Sequence, residues 1–438
     1  MTEPRHNVFD NAILCTPRPS SGIDCNQLVL HRYPLPSSYP TNHVLIKVDR
    51  FGFSTNNITY QVLGEHPHFR YFDFHPIPDA KSGSVSSKTH GLVPVWGFGT
   101  VVVSTHPRIQ EGERVYGYFS LAKYLLLPIT PTDVTEHAFY VSRPHLPSDR
   151  RPYNQVIRCA NDPQYSSNPK IEDLTMLYRP LFWTAYWFED WLFSSGYRDG
   201  ASSILISSAS SKTAFCLAYL VQKRIKKGEV GSNSKVVGLT SGKNLAFTNS
   251  LGLYNDVLTY DNYAASPLFY GKGTERWVYV DVASNGTLNK QLFAHFSSPY
   301  TGRLAACITL GLTNASPSGA DVKWDENSSA SLPTSTTSPS SKGQGDMSQF
   351  WPQLEHFFMP EWLSIRRRQM SPKDIAVRQN EAWKELIQEG SDWVKLERYY
   401  GVEAIKRAYD RLVREGIGPE AGLIWSLWEQ EPQIKSKL

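Results

Sequence analysis

The stretch Ser203-Ile204-Leu205-Ile206-Ser207-Ser208-Ala209-Ser210-Ser211-Lys212-Thr213-Ala214-Phe215-Cys216-Leu217-Ala218-Tyr219-Leu220-Val221 decides the fold. Ser203 to Ser208 read as a short apolar strand, Ala209 to Ala214 as a turn of small residues, and Phe215 to Val221 as the opening of an amphipathic helix. The order is strand, turn, helix. A second strand is expected over Ser234–Thr240, at the distance a βαβ unit needs, and a third over Asn255–Tyr260. Such a unit aims backbone N–H groups from a helix N-terminus at a pyrophosphate.

The turn resembles the Gly-Ala-x-Gly-x-x-Gly loop of the medium-chain dehydrogenase/reductase superfamily, in its zinc-free quinone-reductase and enoyl-reductase branches. On that pattern the glycine positions hold Ser208, Ser211 and Ala214, and the two residues after Ser211 are Lys212 and Thr213. Serine and alanine permit close approach of backbone to phosphate but enter positive φ less cheaply than glycine. Lys212 and the hydroxyls of Ser210, Ser211 and Thr213 are expected to compensate by direct phosphate contacts.

Other landmarks extend the resemblance over roughly residues 40–312. Asn42 to Ser54 resembles the first core strand of a GroES-like substrate domain. Trp96-Gly97-Phe98-Gly99-Thr100-Val101 and Gly112-Glu113-Arg114-Val115 resemble that domain's Gly-x-Gly-x-Val strand and Gly-Asp-x-Val turn, with Glu113 for the usual Asp. Thr184-Ala185-Tyr186 matches the helix entering the nucleotide fold. Trp277 to Ala283 and Gly302 to Gly311 read as its fourth and fifth strands. Asn56-Asn57-Ile58-Thr59-Tyr60 and Phe358-Met359-Pro360-Glu361-Trp362 look more narrowly like the branch known as domain of unknown function 2855, which implies a fold and no established substrate.

The implied fold class is α/β. A GroES-like β-rich substrate domain is expected over 1–180 and a doubly wound parallel-sheet (Rossmann) nucleotide-binding domain over 181–313. Residues 314–349, dominated by Ser, Thr, Pro, Gly and Ala, are expected to be a disordered insertion. From 350 to 438 the chain is expected to return to the substrate domain through helices and a strand. Ser371-Pro372-Lys373-Asp374 marks a helix start, and Val402, Ile405, Ala408, Tyr409 and Leu412 recur at helical spacing.

Composition fits two globular domains and excludes other classes. Of the 438 residues, 40% are apolar and 20% charged, with a net charge of +4, too small and too dispersed to argue for nucleic acid. The longest apolar runs are shorter than a membrane span. The five cysteines include no Cys-x-x-Cys pair, so no zinc or dithiol site is suggested and the thiols read as reduced and inert. Glu65-His66-Pro67-His68 with His75 reads as a surface loop rather than a metal site.

Cofactor and chemistry follow from the resemblance. Thr240-Ser241-Gly242-Lys243-Asn244, after the second strand, holds no acid to accept from a ribose 2′-hydroxyl. In the resembling reductases a Ser/Thr, a Lys and a Tyr clasp a 2′-phosphate; Thr240, Lys243 and Tyr260 occupy those positions beside Ser241, which implies NADP(H). The segment Phe53 to Gly64 resembles one that lies beside the nicotinamide, where Tyr60 would donate a proton and Asn57 hold a carbonyl. Thr184 and Tyr186 are expected nicotinamide or ribose contacts. The leading expectation is an NADPH-dependent, zinc-independent reductase of an activated C=C or C=O bond in an apolar small-molecule substrate, an acyl-thioester or secondary metabolite. The alternative is a catalytically degenerate member that binds nucleotide weakly or binds a partner; an NAD-linked alcohol or ketone dehydrogenase is a third. A homodimer is compatible with the sequence.

The final Ser436-Lys437-Leu438 is the tripeptide read by the peroxisomal import receptor. An N-terminal fluorescent fusion is expected in peroxisomal puncta and, after removal of residues 436–438, to be diffuse. Diffuse signal from the intact chain would make the tripeptide a coincidence.

Overall fold

The structure, a computed structural model, describes residues 10–67, 69–78, 85–270, 275–282, 285–310, 352 and 354–431. The expected insertion over 314–349 and the tripeptide Ser436 to Leu438 lie outside them. Two compact units divide at Pro180/Leu181, the first rejoined by the chain from Ser371 onward.

The first unit begins with β1 (Asp10–Pro17), β2 (Val29–Pro34), β3 (His43–Phe53), helix α1 (Thr55–Val62), β4 (His90–Gly91), β5 (Pro94–Ser104), β6 (Arg114–Ser120), β7 (Tyr124–Val134), β8 (Ala138–Val141), helix α2 (Arg151–Asn154) and β9 (Gln155–Arg158). Strands run in the order β3-β5-β6-β9-β8-β7, and β7 pairs back onto β3 from His43↔Pro128 to Lys47↔Tyr124. The sheet therefore closes on itself and leaves no edge among these six strands. Gly97 and Gly99 make the β3–β5 crossing close: a Cβ on Gly97 would lie 2.9 Å from the Arg50 carbonyl oxygen, and one on Gly99 would lie 2.6 Å from that of Lys47. Between Val48 and Arg50 the β3–β5 register slips. Successive strand residues ordinarily face opposite ways, and a bulge re-aims one of them. Both Asp49 and Arg50 are buried here.

Those two residues enter an ion network that fixes the unit. Helix α3 (Pro169–Ser194) presents Glu172 and Asp173, both fully buried. Arg50 donates to Glu172 at 2.6 Å and to Asp173 at 2.7 Å, while Arg114 on β6 donates to Glu172 at 2.8 Å and also meets Asp49.

Pro180 lies inside α3, where it removes one helical N–H, and the second unit begins at the next residue. It contains α4 (Gly196–Gly200), β10 (Ser203–Ile206), α5 (Lys212–Lys226), β11 (Lys235–Thr240), α6 (Leu245–Ser250), β12 (Asp256–Thr259), β13 (Arg276–Asp281), α7 (Gly286–Phe296), β14 (Arg303–Thr309), β15 (Leu354–His356) and α8 (Met359–Gln369). All six strands are parallel in the order β12-β11-β10-β13-β14-β15, so the strand order reverses between β10 and β13. That switch point is where doubly wound sheets bind ligands. The apolar runs of β10, β11 and β13 are buried on both faces, as parallel strands require.

The expected return at residue 350 is corrected here, because 354–369 belong to the second unit. β15 extends its sheet beside β14, and Trp362 on α8 donates to Asp190 at 2.8 Å. The return begins at Ser371, which caps α9 (Pro372–Gly390) by accepting from Asp374 N. Then β16 (Lys395–Tyr400), α10 (Val402–Glu415) and β17 (Ala421–Ser426) form a parallel crossover that joins the first unit where β17 pairs with Phe51–Phe53 of β3. The apolar stripe read from the sequence is the buried face of α10. Arg398 on β16 closes the ion network by donating to Asp173.

Removing one member of a buried ion network leaves charge uncompensated, at about 3–5 kcal/mol. Arg50→Met is therefore expected to destabilise the protein by about 3 kcal/mol, the low end because Arg114 and Arg398 remain for Glu172 and Asp173. Urea unfolding followed by tryptophan fluorescence measures it, and a loss under about 1 kcal/mol would show that the network is not structural.

Candidate functional site

The turn between β10 and α5 has the form its sequence implied, and the missing glycines are accounted for one by one. Ser208 sits at φ +49°, a left-handed conformation that glycine adopts more cheaply. Ser211 has φ −78° and is the N-cap of α5, accepting from Ala214 N. Ala214 is fully buried within the helix. Of the three substituted positions only Ser208 demands a conformation suited to glycine. Close approach is supplied from the neighbouring strand instead, because a Cβ on Gly238 of β11 would lie 2.8 Å from the Ala209 Cβ.

The amides of this turn divide into two sets. Ser208 N donates to the Tyr260 hydroxyl at 3.0 Å, Ala209 N to Leu239 O at 2.9 Å, and Ser211 N to Ser208 O at 2.7 Å. Among the described residues, no acceptor meets the Ser210 or Thr213 amide. These two lie at the N-terminal end of a fifteen-residue helix, which favours an anion. The helix has no acid in its first turn and carries Lys223, Arg224 and Lys226 in its last.

Beside the turn lies the end of β11. Thr240 is buried, the Ser241 hydroxyl oxygen is buried without a partner among the described residues, and the Lys243 side chain is exposed. Asn244 donates to Ser210 Oγ at 3.0 Å, so the segment is tied directly to the turn. Tyr260, expected as a 2′-phosphate clasp, also supports the turn: its hydroxyl accepts from Ser208 N and lies 3.4 Å from Ser208 Oγ. Lys212 and Thr213 stand half-buried in the first turn of α5, and Thr184 is half-buried on the second unit's part of α3.

Sequence reading missed Ser207 and Asp281 in this unit. Asp281 ends β13 at the switch point, fully buried, accepting from Ser207 Oγ at 3.2 Å and from Asn289 Nδ2 at 2.6 Å. An acid closing the apolar run Trp277-Val278-Tyr279-Val280 was the available signal. The Ser207 hydroxyl also accepts from Val282 N at 3.0 Å, which joins the two strands at their C-terminal ends.

In the first unit, helix α1 carries Asn57 and Tyr60. Asn57, expected as a carbonyl clamp, is buried and engaged locally through both ends of its amide. Its Oδ1 accepts from Ser54 N at 2.8 Å in a capping box, and its Nδ2 donates to Pro94 O at 2.9 Å. Tyr60 is buried in an aromatic cluster, its ring 4.5 Å from Tyr71 and 5.5 Å from Tyr118 between centroids. Burial, followed by the neighbouring Tyr153, pushes its hydroxyl well above the usual phenol range, so it is the neutral phenol at physiological pH.

The remaining candidates have structural employment. Glu65 accepts from Ser20 N at 2.9 Å and Arg18 at 3.4 Å, and His75 is buried with Nε2 3.0 Å from Tyr118 O; His68 lies outside the described residues. All five cysteines are free and buried, and burial raises every thiol, Cys15 to about 12. They are poor nucleophiles in that state. Among the described residues, no helix is long and apolar enough to cross a membrane.

Comparison with known proteins agrees with this architecture. Residues 51–418 match the family described as protein of unknown function (DUF2855), and the chain belongs to that family. Among solved structures the chain is similar to CurA from Vibrio vulnificus in complex with NADPH, with 11% identity, 95% of this chain and 99% of that chain covered, and a TM-score of 0.53. It is likewise similar to the quinone oxidoreductase from Coxiella burnetii, with 13% identity, coverage of 95% and 99%, and a TM-score of 0.51. Identities this low show a shared fold, the GroES-like and nucleotide-binding pair expected from the sequence. No curated protein matches the chain.

Restoring glycine at the strained position tests the reading of the turn. Ser208→Gly is expected to stabilise the protein by about 1 kcal/mol, the scale of the left-handed penalty for a residue with a side chain. A lower urea midpoint in this variant would mean that the Ser208 hydroxyl contributes more than its backbone strain removes.

Proposed function

We propose that this family member is an NADPH-dependent, zinc-independent reductase of an activated C=C or C=O bond in an apolar substrate, an acyl-thioester or secondary metabolite. The observation that carries the reading is the acid-free end of β11 beside the phosphate turn, where Lys243 is exposed and the Ser241 hydroxyl has no partner among the described residues. An NAD-binding fold usually places a carboxylate there, whereas a 2′-phosphate calls for hydroxyls and a cation. The NADPH bound to CurA, a protein of like fold, supports the same choice.

The residues present fit such a cofactor. The unpaired Ser210 and Thr213 amides suit its pyrophosphate, with Ser211, Lys212 and Ser208 around them. Thr240, Ser241 and Lys243 suit the 2′-phosphate. Thr184 is the contact proposed from the helix that enters this unit. Bound NADPH would supply the hydride. Tyr60 would hold the substrate oxygen by its neutral hydroxyl and pass it a proton as the oxygen becomes basic. A second reading, a degenerate member that serves as a nucleotide sensor or partner-binding protein, is favoured by the strained Ser208 and by the Tyr260 hydroxyl seated on its amide.

A thermal-shift panel separates these readings, since a ligand bound only by the native state stabilises it by mass action. NADPH is expected to raise the melting temperature and NADH at equal concentration not to, and Lys243→Glu is expected to erase the difference. Equal responses would defeat the NADP assignment, and no response would favour the degenerate member. In single-turnover NADPH oxidation, Tyr60→Phe is expected to slow the reaction about 10²-fold at unchanged cofactor affinity. Unchanged turnover would remove Tyr60 from the mechanism.

A further inference from the structure

Three buried donors in the aromatic cluster of the first unit close no hydrogen bond among the described residues. Among the described residues, Trp96 Nε1 and the hydroxyls of Tyr116 and Tyr118 find no hydrogen-bond partner, although the two tyrosines are each only 2% exposed. Buried polar atoms without partners are uncommon in native proteins because each forfeits its hydration. The three come from one patch: Trp96 lies 5.6 Å from Tyr116 and 5.1 Å from Tyr118 between ring centroids. The Tyr60 hydroxyl lies near both Trp96 and Tyr118, yet neither of their donors closes a hydrogen bond.

Arg143, beside this patch, is a buried cation that meets no carboxylate among the described residues. Its Nε donates to Phe74 O at 2.9 Å, and its Nη1 to Asn154 Oδ1 at 2.8 Å and to Tyr153 O at 3.5 Å. Its Nη2 lies 3.3 Å from His75 Nε2. That nitrogen is also 3.0 Å from Tyr118 O, and a neutral imidazole nitrogen can donate or accept but not both. His75 is held neutral by burial and then by Arg143 itself. Among the described residues, every partner of Arg143 is therefore uncharged. Arg50, Arg114 and Arg179 of the same unit each meet a carboxylate. The Arg143 guanidinium lies over the Phe74 ring at 5.3 Å, and the same ring contacts Tyr118 at 5.2 Å and Tyr153 at 5.6 Å. Burial draws its pKa down to about 10, which leaves it charged at neutral pH.

We propose that Trp96 and Tyr118, with Arg143 beside Tyr118, form a binding site for a planar conjugated ligand bearing an ionised oxygen, an aryl carboxylate or phenolate. Each feature selects one part of that ligand. The indole N–H can only donate, so the group it meets must accept. The uncompensated guanidinium favours an anion over a neutral carbonyl. Tyr60, Phe74 and Tyr153 surround Tyr118 with aromatic surface that suits a conjugated ring, and the Trp96 and Tyr153 rings, 6.2 Å apart, are partly exposed. The site needs no nucleotide and no hydride transfer.

The test uses the full chain without nucleotide and three probes of similar shape: 4-nitrophenol, benzoate and the neutral benzamide. The protein is expected to draw out the yellow phenolate of 4-nitrophenol at a pH where the free phenol is protonated, and to be stabilised by benzoate but not by benzamide. The tighter of the two anions identifies the oxygen class. Tyr118→Phe is expected to weaken that anion by about tenfold, the scale of one hydrogen bond to a charged group. Its ligand-free melting temperature is expected to be equal or higher, because the deleted hydroxyl closed no hydrogen bond among the described residues, whereas a structural hydroxyl would lower it. Trp96→Phe, which deletes the second donor, is expected to behave the same way. Anions that bind no tighter than benzamide, or a Tyr118→Phe protein that binds like the unaltered one, would overturn the assignment.

Discussion

Arg50 is the residue on which the first unit turns. It carries a full charge at 1% exposure and is answered by two carboxylates from consecutive positions of α3. Through Arg114 and Arg398 the same carboxylates reach β6 and β16, so strands separated by hundreds of residues meet on one turn of helix. The β3 bulge makes this possible by bringing Asp49 and Arg50 into the same network. Burial raises the Asp173 carboxyl even though Arg50 and Arg398 pull it down. Such networks contribute little net stability compared with apolar packing, but any alternative register strands a charge. We take its role here to be specificity: it fixes which strands meet and where α3 leaves the unit.

The second unit solves a different problem, that of building a phosphate turn without glycine. Only one position of the three needs a left-handed backbone, and Ser208 accepts that strain while Tyr260 takes its amide. The space a loop glycine would give comes from Gly238 on the next strand. What matters for an anion is the direction of the N–H groups at the start of α5, and serine as N-cap orients them well. A glycine-poor loop is thus compatible with the geometry of a glycine-rich one when the neighbouring strand yields instead.

The large elements were legible because each had a local signal. The strand-turn-helix of 203–221, the proline-led start of α9 and the apolar stripe of α10 depend on residues within a few positions of each other. What escaped was spatial or short. β15 is three residues long, too few to show alternation, and its place beside β14 is decided by pairing. The cap on α1 was visible as Ser54-x-x-Asn57, but resemblance drew Asn57 toward chemistry while the backbone claimed it. The aromatic cluster gathers residues 60, 96, 116, 118 and 153 from α1, β5, β6 and α2, and no spacing rule links them.

That cluster also bears on how the first unit divides its polar groups. Arg50, Arg114 and Arg179 each meet a carboxylate. Around Arg143, among the described residues, the cation has no anion and the nearby Tyr118 hydroxyl closes no hydrogen bond. The two deficits have the same sign: both would be met by a single group that is negative and accepts hydrogen bonds. An interior selected for stability alone would remove them most simply with phenylalanine at Tyr118 and methionine at Arg143, since paired removal of buried polar groups is close to neutral. The uncompensated Arg143 beside unsatisfied donors is what separates a binding site from a poorly satisfied core.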